Sequence, residues 1–188
     1  IARTILITAI PAGAVGFLLA GFIDRTPFFG SIITVMVTLA VVGLLMVVLE
    51  KLPKASSIAT GEKLSVWRAL AIGLIQIFAL IPGVSRSGST IITGRLMGLN
   101  AAHAAEYSFL ASLPIMLGVT LKLALSSTDR HYFMQNAAML TLSNLVAFVA
   151  GLLAVGFLMR YLSNHSLAVF GWYRIGLAAV LAIILLVQ

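Results

Sequence analysis

Long apolar stretches separated by short polar connectors run along this chain. A helix that crosses a lipid bilayer needs about 20 mostly apolar residues. The first stretch contains Pro11, where we expect a kink, and the polar turn at residues 24–27 ends it. The pattern predicts five membrane-spanning helices, at Ile5–Ile23, Ile32–Leu49, Tyr107–Leu125, Ala137–Met159 and Leu167–Val187.

Residues 69–99 break this pattern. Ala69–Ile81 is apolar but too short to cross a bilayer, and it stops at Pro82 and Gly83. A polar stretch of serine, glycine and arginine follows, and a second short segment runs from Ile91 to Leu99. Non-helical backbone is tolerated at membrane depth only where protein buries it or where it lines a cavity. We therefore predict a re-entrant helical hairpin at residues 69–99 and expect the functional site there.

The composition is that of a membrane protein and excludes most soluble classes. Of the 188 residues, 61% are hydrophobic and 9% are charged, and the mean hydropathy is +1.14, whereas a soluble domain has about 45–50% apolar and about 25% charged residues. The net charge of +7 is scattered rather than clustered on one face, so we expect no nucleic-acid partner. The prediction is an all-α polytopic integral membrane protein, with residues 1–188 forming a single membrane domain.

The distribution of lysine and arginine predicts how the helices are oriented. The connector Glu50–Arg68 is rich in basic residues, whereas Arg25 stands alone in the preceding connector. Because cytoplasmic loops carry an excess of basic residues, we expect the long connector to be cytoplasmic. Arg3 and Arg160 then lie on the same side, and the C-terminus lies outside. The basic residues of the long connector are Lys51, Lys54, Lys63 and Arg68.

The sequence gives little support for a metal site or for cysteine chemistry. The chain has no cysteine, which excludes a disulfide framework, a thiolate metal site and a cysteine nucleophile. The histidines, His103, His131 and His165, lie far apart and form no i,i+4 pair. We therefore predict no metal ligands within this chain.

Arg86 is the most informative residue of the predicted hinge. An arginine at membrane depth should face an interior cavity and have an anionic partner, yet no carboxylate lies within a helical turn of it. Its guanidinium matches phosphate oxygens in a bidentate manner. These features favour an anion site. The alternative is a polar kink in which Arg86 reaches out to the membrane interface.

The neighbours of Arg86 support the same two interpretations. Gly83 and Gly88 permit close backbone approach and unusual backbone angles. Ser87 or Ser89 is expected to cap a half-helix beginning near Thr90, whose N-terminus would present free N–H groups and a partial positive charge. Alternatively, these serines only satisfy the backbone of a kink.

Taken in order, these residues resemble the second signature region of the undecaprenyl-diphosphatase family, also called bacitracin-resistance proteins. Further likenesses are Gln76 before the hinge and Tyr173-Arg174 in the last helix, and the resemblance covers essentially the whole chain. The residues that carry it are Ile10-Pro11-Ala12, Pro82–Thr90, Gly94, Met97-Gly98, Ala104–Leu110 and Pro114.

The resemblance implies a multi-pass enzyme of the bacterial inner membrane that hydrolyses undecaprenyl diphosphate to undecaprenyl phosphate. This reaction recycles the carrier lipid for peptidoglycan synthesis, and it confers bacitracin resistance. The resemblance also implies a divalent cation, Mg²⁺ or Ca²⁺, an active site open to the periplasm, and the lipid diphosphate and the bilayer as partners. A homodimer is a further expectation.

Carried over by position, Arg86 would clamp the diphosphate, with Ser85, Ser87 and Thr90 as hydroxyl ligands in the catalytic set. The residues expected to bind substrate are Gly83, Gly88, Ser89, Glu106 and Arg174. For Glu106 the alternative is a helix-start acid favoured by the dipole. For Arg174 it is a side chain that reaches the interface beside Trp172 and Tyr173.

One part of the family pattern has no match. The first signature, a glutamate pair followed by a Pro-Val-Ser-Ser loop and a histidine, is absent from this sequence. We therefore expect the chain to be the C-terminal part of a longer enzyme and to be inactive alone. Two alternatives remain at this point: a transporter of a lipid carrier or anion, and a truncated copy without activity.

Overall fold

A computed structural model describes residues 1–51 and 63–187. Its regular elements are helices connected by short turns. They are α1 (Ala2–Leu18), α2 (Ala20–Arg25), α3 (Pro27–Gly30), α4 (Ile32–Lys51), α5 (Val66–Gln76), a 3₁₀ turn (Ile77–Leu80), α6 (Arg86–Leu96), α7 (Ala101–Leu125), α8 (Ser127–Gln135), α9 (Ala137–Asn164) and α10 (Ala168–Val187).

Four of the described helices, α4, α7, α9 and α10, are long and apolar enough to cross a membrane. They confirm four of the five predicted spans and the all-α membrane fold. The first predicted span, Ile5–Ile23, is divided between α1 and α2. α1 continues through Pro11, and the interruption falls at Leu19.

The connectors are more helical than the sequence pattern predicts. The predicted connector at residues 126–136 contains α8, and α9 continues through Arg160 to Asn164. The long basic connector is shorter than expected, because α4 ends at Lys51 and α5 begins at Val66. Lys54 and Glu62 lie outside the described residues.

Three contacts show which helix ends lie together. The Glu50 carboxylate at the end of α4 pairs with Arg95 at the end of α6, and it accepts a hydrogen bond from the Leu167 N–H before α10 (3.2 Å). α1 runs parallel to α5, since the Thr8 hydroxyl donates to the Ala69 carbonyl at 2.9 Å and, further along both segments, a Cβ atom at Gly16 would lie 3.2 Å from the Leu80 side chain. We call this end of the molecule the Glu50 face and the opposite end, which holds Asp24 and Arg25, the Arg25 face.

The helix topology places the basic residues unevenly between the two faces. Arg3 and Arg160 lie on the Glu50 face with the long connector, as predicted. Three basic residues, Arg25, Lys122 and Arg130, belong to the Arg25 face. Because positive charge marks the cytoplasmic side, the Glu50 face is predicted to be cytoplasmic. The described basic residues of that face are Arg3, Lys51, Lys63, Arg68, Arg95 and Arg160.

Helices α4 and α10 pack with their backbones in contact. A Cβ atom added at Gly43 would lie 2.7 Å from the Gly171 carbonyl oxygen, and one added at Gly171 would lie 2.6 Å from the Gly43 oxygen. Small residues let helices approach this closely within a bilayer. Since Glu50 joins the ends of α4, α6 and α10, the α4–α10 pair and the hairpin form one packed unit.

We predict that Glu50→Ala destabilises the fold strongly. The Glu50 and Arg95 side chains are only 11% and 10% exposed, so the substitution leaves a buried guanidinium unpaired, at a cost of about 3–5 kcal/mol. A lowered thermal midpoint in detergent micelles would show this. Glu50→Leu combined with Arg95→Met should restore most of the loss, whereas the exposed Glu106→Ala serves as the control. An unchanged midpoint for Glu50→Ala would contradict the prediction.

The predicted orientation can be tested with single cysteines, because these 188 residues contain none. A cysteine replacing Lys63 on the Glu50 face is expected to react with a membrane-impermeant maleimide only after the cells are opened. A cysteine replacing Gln135, exposed in α8 on the opposite face, is expected to react in intact spheroplasts. The reverse labelling pattern would show that the orientation is inverted.

Candidate active site

The predicted break between two half-helices is present at residues 81–85, which we call the hinge. α5 ends at Gln76, the 3₁₀ turn ends at Leu80, and α6 begins at Arg86. Gly83 and Ser85 both have left-handed backbone angles, with φ of +85° and +66°. α6 has 11 residues and is therefore about 16 Å long. The hinge contacts α4 at Val35 and Thr38, within the first two turns of that helix, so it lies below the helix ends and nearer to the Arg25 face than to the Glu50 face.

α6 begins earlier than the sequence pattern predicts. The expectation that Ser87 or Ser89 caps a helix beginning near Thr90 was wrong, because the N-cap is Ser85, whose Oγ accepts the Gly88 N–H at 3.1 Å. The left-handed φ of Ser85 turns the chain into the helix at that point. Arg86 is therefore the first residue of α6, where N–H groups have no acceptor within the helix and a partial positive charge develops.

The four hydroxyl groups at the start of α6 fall into two sets. Ser85 and Ser87 lie at the helix start with their Oγ atoms 3.4 Å apart, and Ser87 is exposed. Ser89 and Thr90 are buried: the Ser89 hydroxyl donates to the Arg86 carbonyl, and Thr90 Oγ1 lies 2.6 Å from Ser108 Oγ on α7. Ser85 and Ser87 are thus available to a ligand, whereas Ser89 bonds within its own helix and Thr90 joins α6 to α7.

The Arg86 guanidinium is half-buried and makes no hydrogen bond or ion pair with any side chain or carbonyl that the structure describes. It does not lie in a continuous helix facing bulk water, because the hinge precedes it directly. A free guanidinium beside a helix N-terminus at membrane depth is the arrangement that an anion would satisfy.

Gly83 in the hinge and Gly88 in α6 both face protein rather than open space. A Cβ atom at Gly83 would lie 2.1 Å from Thr38 Oγ1 and 2.7 Å from the Val35 carbonyl oxygen of α4. A Cβ atom at Gly88 would lie 2.9 Å from the terminal methyl group of Met46. Both glycines therefore let the hairpin pack against α4. This packing favours glycine at both positions for a reason other than the predicted contact with substrate.

Arg174 also reaches the hinge. Its Nη2 donates to the Gly83 carbonyl oxygen, and its buried Nε has no partner among the described residues. Tyr173 and Trp172, in contrast, are exposed on the outer surface of α10. Of the two interpretations of Arg174, the structure agrees with a role inside the protein. The contact it shows is with the backbone.

The structure does not bring Glu106 to the hinge. Ser108 of α7 contacts Thr90, and residues two positions apart on a helix lie on nearly opposite faces. Glu106 therefore points away from α6, and it is exposed. Glu106 lies in the second turn of α7, and the first turn has no acidic residue, so the structure does not support the alternative of a helix-start acid either.

Positive charge at the hinge is uncompensated by the described carboxylates. Glu50 pairs with Arg95, and neither Asp24 nor Glu106 contacts Arg86 or Arg174. No cluster of three His, Asp or Glu side chains occurs in residues 1–51 and 63–187. Two guanidinium groups and serine hydroxyls are a poor ligand set for Mg²⁺ or Ca²⁺, which prefer carboxylate and carbonyl oxygens. These residues fit an anion, and they do not by themselves fit a divalent cation.

Two polar residues near the hinge stand out in the structure. Thr38 lies in the middle of apolar α4 and donates to the Pro82 carbonyl at 2.7 Å. Gln76, at the end of α5, is 1% exposed and has no partner for either amide atom in the described part of the chain. Thr38 and Thr34 are both polar residues within the predicted span Ile32–Leu49, so the sequence marks Thr38 as unusual there but does not distinguish it from Thr34.

The comparisons with known proteins agree with this geometry. The sequence matches the family model described as "Bacitracin resistance protein BacA" over residues 1–180. The chain belongs to this family. The resemblance found in the hinge residues is thereby confirmed, and the chain is a multi-pass membrane protein of the BacA family.

Curated relatives of this BacA-family chain carry one functional name. It is 38% identical over 179 residues to the undecaprenyl-diphosphatase of Parvibaculum lavamentivorans, covering 95% of this chain and 66% of the relative. It is 39% identical over 180 residues to undecaprenyl-diphosphatase 1 of Clostridioides difficile, covering 94% and 63%. For the undecaprenyl-diphosphatase of Enterococcus faecalis the identity is 34% over 181 residues, covering 94% and 65%. The chain spans just under two thirds of the length of these relatives.

Gly83 in the hinge and Gly88 in α6 provide a matched pair of substitutions. Gly83→Ala is expected to destabilise the protein by about 2 kcal/mol or more, because it combines a left-handed φ with a Cβ overlapping Thr38 and the α4 backbone. Gly88→Ala should have a smaller effect, because its φ is ordinary and its Cβ would meet side chains alone, the flexible end of Met46 at 2.9 Å and the Ser85 side chain at 3.2–3.3 Å. Thermal midpoints in detergent test both, and equal losses would contradict this account of the hinge.

Proposed function

We propose that this chain carries the phosphate-binding hinge of an undecaprenyl-diphosphatase of the bacterial inner membrane. The observation that supports the proposal best is the unpartnered Arg86 guanidinium at the N-terminus of α6. The names of the curated relatives give the substrate, undecaprenyl diphosphate. The products are undecaprenyl phosphate and inorganic phosphate, and the released carrier lipid returns to peptidoglycan synthesis.

In this proposal the hinge supplies positioning and charge. The Arg86 guanidinium binds two phosphate oxygens in a bidentate manner, and the first N–H groups of α6 donate to the same phosphoryl group. The Ser87 hydroxyl, which is exposed, and the Ser85 hydroxyl complete the set. Phosphoryl transfer depends mainly on such positioning and on neutralising the oxygens.

The side from which substrate enters follows from the proposed orientation. The hinge contacts α4 at Val35 and Thr38, about two turns from the start of α4 on the Arg25 face. With the Glu50 face in the cytoplasm, the hinge opens toward the periplasm. The prenyl chain of the substrate would remain in the hydrocarbon region, against the exposed apolar surface of the helices.

A divalent cation, Mg²⁺ or Ca²⁺, is part of the proposal through the family alone. When bound, it would neutralise phosphoryl oxygens. Its acidic ligands are not among the residues that the structure brings to the hinge, and neither is a general base. We therefore expect the 188 residues alone to be inactive and the complete enzyme to depend on the cation.

Substitution of Arg86 tests the proposal. In the protein at its full natural length, Arg86→Ala is expected to lower phosphate release from undecaprenyl diphosphate by about 100-fold or more, since it removes both charge and bidentate hydrogen bonds. Arg86→Lys should recover only part of the activity, because a lysine is a point charge. Phosphate release in detergent micelles with added Mg²⁺ measures both.

Arg25→Gln, which removes an exposed charge from α2, is the control and should retain activity. A normal rate of phosphate release from Arg86→Ala would refute the proposed role of the hinge. Transfer of intact lipid diphosphate across vesicles by the wild-type protein, with no phosphate released, would show a transporter instead.

A further inference from the structure

Two side chains from different helices hold consecutive carbonyl groups of the hinge. Thr38 of α4 donates its hydroxyl proton to the Pro82 carbonyl oxygen at 2.7 Å. Arg174 of α10 donates from Nη2 to the next carbonyl oxygen, that of Gly83. We call Thr38 and Arg174 together the carbonyl clamp.

The clamp fixes the backbone immediately before the proposed phosphate site. Each peptide group is planar, so anchoring its oxygen also orients the N–H on its other side. With two successive peptide groups oriented, few backbone rotations remain between Gly83 and the start of α6 at Arg86. The direction in which Arg86 leaves the helix start therefore depends on Thr38 and Arg174.

The packing of α4 against α10 is what brings the clamp together. Gly43 and Gly171 let the two backbones touch, and the Arg174 Cβ lies 3.2 Å from where a Gly43 Cβ would be. Gly83 lacks a Cβ and has φ of +85°, which leaves room for the Thr38 hydroxyl. Each of these two packed helices, α4 and α10, thus supplies one clamp residue to the hinge.

The Thr38 hydroxyl has alternatives to the contact it makes with the hinge. The Thr38 hydroxyl also lies 2.8 Å from the Thr34 carbonyl and 3.0 Å from the Val35 carbonyl of its own helix, which is the usual arrangement for threonine within a helix. Pro82 and Gly83 have no such choice, because a carbonyl at membrane depth without a donor is strongly disfavoured. Loss of the clamp would therefore leave the hinge carbonyl groups without these donors, whereas the Thr38 hydroxyl would keep acceptors within its own helix.

We propose that Thr38 and Arg174 are positioning residues for diphosphate hydrolysis, which act by orienting the hinge so that Arg86 and the N-terminus of α6 face the phosphoryl group. This inference rests on the proposed function. It assigns Arg174 to the backbone rather than to the substrate, and it assigns a role to Thr38, a residue outside the hairpin. Without the clamp, an unpartnered hinge carbonyl would compete with substrate for the Arg86 guanidinium.

The test compares substitutions of the clamp in the full-length protein. Thr38→Val removes the hydroxyl while keeping the shape of the side chain, and it is expected to lower kcat for phosphate release by about 10- to 100-fold, as a misplaced reacting group does. Thr38→Ser, which keeps the donor, should restore at least half of the wild-type kcat. Arg174→Met is expected to lower kcat to a similar degree, and Arg174→Lys to recover part of it.

Thr34→Val is the matched control, since Thr34 is a buried threonine one turn away on α4 whose hydroxyl makes no hydrogen bond in the described structure. Its kcat should equal that of the wild type. The thermal midpoint of each variant is measured in the same micelles, and kcat is expressed per folded molecule. Because both clamp residues act through one hinge, the double variant Thr38→Val/Arg174→Met should lose less than the product of the two single losses.

Three results from the single variants would overturn the inference while leaving the proposed function intact: wild-type kcat for Thr38→Val, a loss that Thr38→Ser does not restore, or a loss explained entirely by a smaller folded fraction. Fully multiplicative losses in the double variant would also overturn it, because they would show that the two residues act independently. Failure of the wild-type protein to release phosphate would instead refute the proposed function, and this inference with it.

Discussion

A break in a helix within a bilayer leaves backbone N–H and carbonyl groups that water cannot satisfy, and the arrangement of this protein follows from that constraint. The chain leaves helical geometry after Leu80 and regains it at Arg86. Between these residues, two carbonyl groups accept hydrogen bonds from Thr38 and Arg174, and the Ser85 side chain accepts one helix N–H. The N–H groups at the start of α6 are left for a ligand.

Three arginines at or below the bilayer surface show three ways of accommodating a guanidinium. Arg95 pairs with a carboxylate at the Glu50 face. Arg174 donates to a backbone carbonyl and is thereby committed to the fold. Arg86 has no partner among the described groups, although it belongs to the same packed unit. This difference in partners separates the structural arginines from the one suited to binding an anion.

The sequence predicted those features that depend on local composition. Span positions follow from apolar length, so α4, α7, α9 and α10 were found, and the hinge was found because Pro82 and a run of small polar residues interrupt an apolar segment. The start of α6 was misplaced, because it depends on the left-handed φ of Ser85, and residue type alone did not distinguish Ser85 from Ser87 as the cap. Contacts between distant residues, such as Thr38 with Pro82, cannot be read from local periodicity.

The attachment of α6 on two sides restricts how the hinge and its substrate can meet. The clamp holds the hinge against α4 and α10, while Thr90 and Ser108 join α6 to α7. A helix fixed at both flanks cannot rise toward the membrane surface as a piston would. Under the proposed function, the headgroup of the lipid therefore reaches the hinge about 9 Å below the start of α4. Local thinning of the bilayer would shorten that distance.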